Sequence, residues 1–319
     1  MKFVLFNSPL SPATLPGLLT DKGIVDISAV VGCSDSPQAT MVSIIDRYDD
    51  LKGALERHVQ TAPALDPASV RLCPPLPRPG KILACIGNYW EHAQRESKPL
   101  NMFMKNPDAV VGPGDTICLP NFTVPSSFMH EAELAVVIKG PAKEVPRDRW
   151  RDAVFGYTCM IDVTARGEGR FTWPGPIMSW LGKSFDTFAP IGPCIVTADE
   201  IPDPNQLHVQ FWNDGELRHN YSTDDMEHPV PEIVEFASQV MTLNSGDLLS
   251  FGTNHEGLGF LQDGETVEIC IHGIGRMSLK VHDPLKRKWE RGVYMGHDST
   301  HHDAVRRHRP ETVIRDSRE

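Results

Sequence analysis

Apolar residues along this chain fall mostly into short runs bounded by proline, glycine and asparagine, a pattern of strands more than of helices. The opening Met1-Lys2-Phe3-Val4-Leu5-Phe6-Asn7-Ser8-Pro9 reads as a first strand, its apolar core being too short for a signal peptide. The run from Phe128 through Glu131-Ala132-Glu133 to Ile138 is rich in β-branched residues and predicts a strand, as does Val154 to Ile161. Helical spacing occurs from Val42 to Leu55, where Ile44, Ile45, Leu51 and Leu55 share a face. It recurs from Pro231 to Thr242, with proline in the first turn and Ile233, Phe236, Ala237, Val240 and Met241 on one side. Between the helical stretches, Cys73-Pro74-Pro75-Leu76-Pro77-Arg78-Pro79-Gly80 predicts an extended linker, because proline denies both helix and ladder bonding. From Lys81 to His282, turn signals at Val111 to Asp115, Asn213-Asp214-Gly215 and Leu243 to Asp247 separate the strand-like runs. Asn213-Asp214-Gly215 is a hairpin signal, since positive φ costs little there. The pattern therefore predicts an α+β, β-dominated chain. Residues 1–75 form a small N-terminal α/β domain with a Pro-rich linker, 76–285 the main β-rich domain, and 286–319 a polar tail.

Composition narrows the function classes. A chain of 319 residues with 40% hydrophobic and 23% charged positions can bury a large core as an ordinary globular protein. A net charge of -11 with no basic stripe argues against a nucleic-acid partner, and no apolar run approaches membrane-spanning length. The 7 cysteines are odd in number, scattered, and include no C-x-x-C pair. They read as reduced thiols of a cytoplasmic protein. The tail carries Lys286-Arg287-Lys288, Arg306-Arg307 and the histidines His297, His301 and His302. With no scaffold around them these read as solvated tail, which a partner subunit would have to hold if it is ordered.

Candidate chemistry starts at Glu131 and Glu133. Side chains alternate along a strand, so these two carboxylates point the same way and repel unless something cationic lies between them. Asp162 follows directly on the second apolar run. Three carboxylates on apolar strands suit a hard divalent cation, Mg²⁺ or Mn²⁺ in preference to Zn²⁺, with Ca²⁺ also compatible. The ordinary alternative is a solvated strand face for the glutamates and a turn cap for Asp162.

Ordered motifs then carry a resemblance. Gly87-Asn88-Tyr89-Trp90-Glu91-His92-Ala93, Met104-Lys105-Asn106-Pro107, Glu131-Ala132-Glu133-Leu134-Ala135, Phe155-Gly156-Tyr157, Asp162-Val163-Thr164-Ala165-Arg166 and Gly182-Lys183-Ser184-Phe185-Asp186 occur in sequence. Together with Leu243-Asn244-Ser245-Gly246-Asp247 and Gly252-Thr253, they resemble the fumarylacetoacetate hydrolase family over roughly residues 81 to 283. The resemblance implies a mixed β-roll catalytic domain, a homodimer, and a divalent cation held by Glu131, Glu133 and Asp162.

A cation so held polarises a substrate carbonyl and stabilises the enolate left when a C–C bond breaks. The expected substrate is a small oxo-acid, either a 2-oxo acid or a β-dicarbonyl acid of the acylpyruvate or fumarylacetoacetate type. His92 is the candidate base, with Glu96 one helical turn on to orient it; the alternative is a surface ion pair. Lys183, in an apolar and glycine-flanked setting, is read as a site lysine that offsets carboxylate charge, against the alternative of a stem on the core with its amine in water. Gly252 and Thr253 are placed beside the substrate carboxylate, against a plain tight turn, and Arg166 is a further substrate-binding candidate. Two departures from the family pattern matter. Glu96 comes four residues after His92 where three is common, and the Gly-Thr-x-x-Gly-x-Gly motif is lengthened to Gly252-Thr253-Asn254-His255-Glu256-Gly257-Leu258-Gly259. The lengthened loop puts His255 and Glu256 at the mouth of the site, as an alternative acid/base pair or as solvated loop. A third departure, Gly167 in place of a frequent aspartate, bears on substrate more than on metal. The expected reaction is metal-dependent C–C hydrolysis or lysis. Oxaloacetate-type decarboxylation and 2-oxo-alkenoate hydration are rivals on the same fold, and a silent metal and oxo-acid binder is the rival from another class.

Overall fold

The structure, a computed structural model, describes residues 1–9, 11–91, 93, 95–121, 126–167 and 179–289; the side chains of Ser126, Arg166, Gly167, Ser179 and Trp180 fall outside that description. The fold is α+β and dominated by strands. Its central strand is Ala132–Ile138, antiparallel to Val154–Ile161 on one side and to Leu248–Ser250 on the other. All seven of its residues are buried. Leu134, Val136 and Ile138 enter one apolar cluster while Ala135 and Val137 enter a second, so the strand is sandwiched and reads as a continuous apolar run.

The large sheet continues outward through Ala189–Thr197 to the N-terminal strands. Lys2–Ser8 pairs antiparallel with both Ala189–Thr197 and Ser11–Thr20, so residues at the chain's start extend the sheet that carries the glutamates. On the opposite side, Ile82–Cys85 runs parallel to Leu248–Ser250 and pairs with Met102–Lys105. A second sheet of five strands is ordered Glu216–Ser222, His208–Asn213, Thr266–Ile271, Gly275–His282, Thr116–Cys118. The Asn213-Asp214-Gly215 turn closes its first hairpin, with Asp214 and Gly215 both at positive φ.

Two helices occur where the spacing predicts one. Pro37–Asp46 starts from Ser36, whose Oγ accepts from the Ala39 N–H, and Tyr48–Thr61 follows after Arg47. Arg47 leaves the helical path (φ -105°, ψ 9°) and its guanidinium donates to the Val31 carbonyl at 2.6 Å. Ile44, Ile45, Leu51 and Leu55 still face one core, which is why apolar spacing cannot show the break. That core includes the ring cluster of Phe3, Tyr48 and Phe155, with centroids 5.3 to 5.9 Å apart. The last helix is Val230–Val240, close to the expected span. Its buried face is Val230, Ile233, Val234 and Ala237, while Val240, expected on that face, is 61% exposed. The Pro-rich stretch crosses between elements with Leu76 fully buried. The cysteines are free thiols, five of them at least partly buried. Among the described residues no helix is long and apolar enough to cross a membrane.

Candidate metal centre

Register brings the three carboxylates together. Ala132 sits opposite Ile161 in the antiparallel pair, so the residues just beyond, Glu131 and Asp162, meet at the end of the ladder. The Asp162 N–H donates to the Glu131 carbonyl at 2.8 Å and closes that end. Glu133 lies one pleat period from Glu131, on the same side. Ligand oxygens from Glu131, Glu133 and Asp162 all lie within 4.8 Å of one another, and all three residues are buried.

Buried like charges need compensation, and two lysines supply part of it. Lys183 Nζ donates to Glu131 Oε2 at 2.8 Å, to Asp162 Oδ2 at 2.6 Å and to Thr164 Oγ1 at 2.7 Å. Lys105 Nζ donates to Asp162 Oδ1 at 2.5 Å and to the Lys183 carbonyl. Thr164 Oγ1 in turn donates to Glu131 Oε1 at 3.1 Å. Glu133 is held by neutral donors, the Ser250 hydroxyl and the Gly252 N–H at 3.1 Å. Were all three carboxylates ionised, two ammonium groups would leave one negative charge in excess, and it would fall on Glu133. Burial first, then the Asp162 and Glu131 carboxylates, push Glu133 up to about 8. Burial also pulls the Lys105 ammonium below its usual range, against the pull of Asp162. The donor set fits a hard divalent cation: all oxygens, preassembled, and short of positive charge. Glu131, Glu133 and Asp162 would hold it, and its two charges would turn the site net positive toward an anionic acid.

The loop after Leu248–Ser250 wraps this centre. Gly252 (φ 79°) turns its N–H onto Glu133, and Gly257 (φ 84°) passes so close to the Arg218 carbonyl that a Cβ would collide with it. Thr253 is buried between them in sequence, beside the Tyr221 hydroxyl, which also donates to the Ala132 carbonyl. At the far end the His130 N–H reaches the Gly259 carbonyl at 3.4 Å. His130 and His219 form a buried pair, Nδ1 to Nε2 3.0 Å, with His130 stacked on Phe211. Burial holds both imidazoles low, His219 to about 4, so they are neutral packing groups at neutral pH.

Of the residues singled out from sequence, Lys183 is hydrogen-bonded to Glu131 and Asp162, Gly252 is hydrogen-bonded to Glu133, and Thr253 is the next residue along. His92 lies outside the described residues, as does the Arg166 side chain, although the Arg166 backbone pairs with Ser127. Glu96 is exposed. The buried carboxylate of that segment is Glu91, whose Oε1 lies 2.6 Å from His255 Nδ1. Sequence reasoning passed over Lys105, Ser250, Thr164 and Glu91. Lys105 was noted only as part of the Met104-Lys105-Asn106-Pro107 motif, and the fold buries it.

Comparison with known proteins gives a consistent picture. The family model described as fumarylacetoacetate (FAA) hydrolase C-terminal matches residues 81–282. A maleylpyruvate hydrolase of Aquipseudomonas alcaligenes is 31% identical over 284 residues, covering 83% of this chain and 95% of that protein. An oxaloacetate tautomerase of Bacillus subtilis is 36% identical over 229 residues, covering 67% and 74% of the two. Among solved structures, a maleylpyruvate hydrolase from Sphingobium sp. SYK-6 in complex with manganese(II) and pyruvate superposes with a TM-score of 0.78 at 32% identity, covering 89% of this chain and 99% of that one.

Proposed function

The chain belongs to the fumarylacetoacetate hydrolase family, and from that premise we propose that it is a Mg²⁺- or Mn²⁺-dependent enzyme hydrolysing a C–C bond of an acylpyruvate-type 2-oxo acid. The observation that carries this reading is the buried triad Glu131, Glu133 and Asp162, in which two lysines are paired with Glu131 and Asp162 while Glu133 has only neutral donors. The relative that binds manganese(II) and pyruvate supports the same choice of metal and of product. When bound, the cation polarises the 2-oxo group and stabilises the enolate that C–C cleavage releases.

The protein's own groups prepare that chemistry. Lys183 and Lys105 hold Glu131 and Asp162 by direct hydrogen bonds, and Ser250 and Gly252 hold Glu133, so the carboxylates are preorganised. Gly252 gives its N–H to Glu133, and the Thr253 hydroxyl beside it is the contact that the family resemblance assigns to the substrate carboxylate. In the reaction, a water oxygen bonds to the acyl carbon, the C–C bond breaks, and its electron pair passes to carbon 3 of the departing pyruvate unit. A base takes the water's proton, and a proton must reach carbon 3 to give the keto acid. His92 with Glu96 is the assignment that the family resemblance makes for the base. We further propose a cytoplasmic homodimer, in keeping with seven unpaired thiols. The test is direct: purified protein with Mg²⁺ or Mn²⁺ and an acylpyruvate should release pyruvate, and Glu131→Ala should not.

A further inference from the structure

Carbon 3 of the pyruvate unit needs a proton carrier, and a second acid/base pair stands in the loop that wraps the carboxylates. We propose that His255, held by Glu91, moves the proton on and off the carbon next to the substrate's oxo group; this deepens the reading above and rests on it. Glu91 is nearly fully buried and sits at a positive φ of 54°, an uncommon backbone state for a residue with a side chain. Its N–H donates to Asp225 Oδ2 at 3.1 Å, and Asn254 Nδ2 donates to the same oxygen at 2.9 Å. Glu91 Oε1 accepts twice from His255, from the backbone N–H at 2.8 Å and at Nδ1 at 2.6 Å. Two segments 164 residues apart are thus tied by a fixed carboxylate–imidazole pair, which is more than a solvated loop requires.

Position and exposure point to the site. The loop is pinned to Glu133 through Gly252 and to His130, next to Glu131, through Gly259, so His255 lies on the segment between two anchors at the carboxylate centre. The imidazole keeps 23% exposure while the carboxylate behind it keeps 2%. A carboxylate on Nδ1 fixes the proton there, makes Nε2 the basic nitrogen and stabilises the imidazolium once formed. The step balances simply. Nε2 takes a proton from carbon 3, the C–H pair becomes the C=C bond, and the oxo oxygen takes the charge. Reversal returns the proton and restores the keto acid. Glu91 acts through the histidine and is a positioning residue.

The test is exchange of the methyl protons of pyruvate in D₂O with Mg²⁺, followed by proton NMR. His255→Gln keeps an amide to face Glu91 and should lower the exchange rate by about 10²–10⁴-fold, the usual contribution of a positioned base. Added imidazole should partly restore exchange in His255→Ala. Glu91→Gln should lower kcat with KM unchanged, the mark of a contact that matters only in the transition state. The melting shift given by Mg²⁺ should persist in all three variants. Exchange that survives His255→Gln within threefold overturns the assignment alone. A wild type that exchanges no proton of any 2-oxo acid, while Mg²⁺ still shifts its melting, overturns the assignment together with the functional reading beneath it.

Discussion

Glu133→Gln should make the metal-free protein more stable at neutral pH, although it removes a proposed metal ligand. The side chain is fully buried, and its carboxyl is held up to about 8 by burial and by the Asp162 and Glu131 carboxylates, against 4.5 for a free glutamate. The folded-state value is raised, so the stability it contributes is fully present below about pH 4.5 and is lost as pH rises to about 8. The loss runs at about 1.4 kcal/mol per pH unit, which gives about 3 kcal/mol at pH 7 and about 5 kcal/mol once the group ionises. Glutamine carries no proton to lose, and its amide oxygen can accept from both the Ser250 hydroxyl and the Gly252 N–H. Urea unfolding in EDTA at pH 5, 6, 7 and 8 measures the difference directly. The variant should match wild type near pH 5 and pull ahead with each unit above it. Saturating Mg²⁺ should reverse the order, because only the wild type has the full ligand set. Parallel stability curves across this pH range would refute the claim that the site stores uncompensated negative charge.

Other expectations follow from the carboxylate geometry and from the proposed function. Glu131→Ala or Asp162→Ala should abolish activity and the thermal stabilisation given by added Mg²⁺ or Mn²⁺, since a ligand that binds only the folded state stabilises it; differential scanning fluorimetry with and without metal checks both. His92→Ala should slow acylpyruvate hydrolysis by about 10²–10⁴-fold while leaving the metal-dependent melting shift intact, which steady-state kinetics beside the same melts would show. Light scattering at micromolar concentration should give the mass of two 35.4 kDa chains, and a monomer mass would count against the proposed homodimer.

The shared face of Glu131 and Glu133 was legible because a strand has a strict period; their proposed role as metal ligands with Asp162 came from the family resemblance. Glu131 and Glu133 interrupt an otherwise apolar run at two-residue spacing, and Asp162 directly follows another such run. What no local pattern could show was the pairing of Ala132 with Ile161, which brings the aspartate to the glutamates. Lys105 escaped notice because a lysine at the end of Met102–Lys105 looks like an ordinary strand terminus until the neighbouring carboxylates are in place. The same limit applies to Glu91 and His255, which pair across about half of the chain's length. The helix spacing failed differently: continuous apolar positions on both sides of Arg47 hide a break made by one backbone angle. At Val240 the periodicity was correct but the helix ran past the core, leaving the side chain exposed.

The claim at the centre is that a buried carboxylate triad binds a divalent cation in order to cleave an oxo acid. Incubating the protein and Mg²⁺ or Mn²⁺ with a panel of acylpyruvates, oxaloacetate and 2-oxo-alkenoates, and reading products by NMR, tests it most directly. Pyruvate and the matching carboxylic acid should appear from at least one acylpyruvate, only with metal, and not with Glu131→Ala. Metal binding that is intact by melting shift, with no turnover of any acid in the panel, would contradict the claim and leave a protein that binds without catalysing.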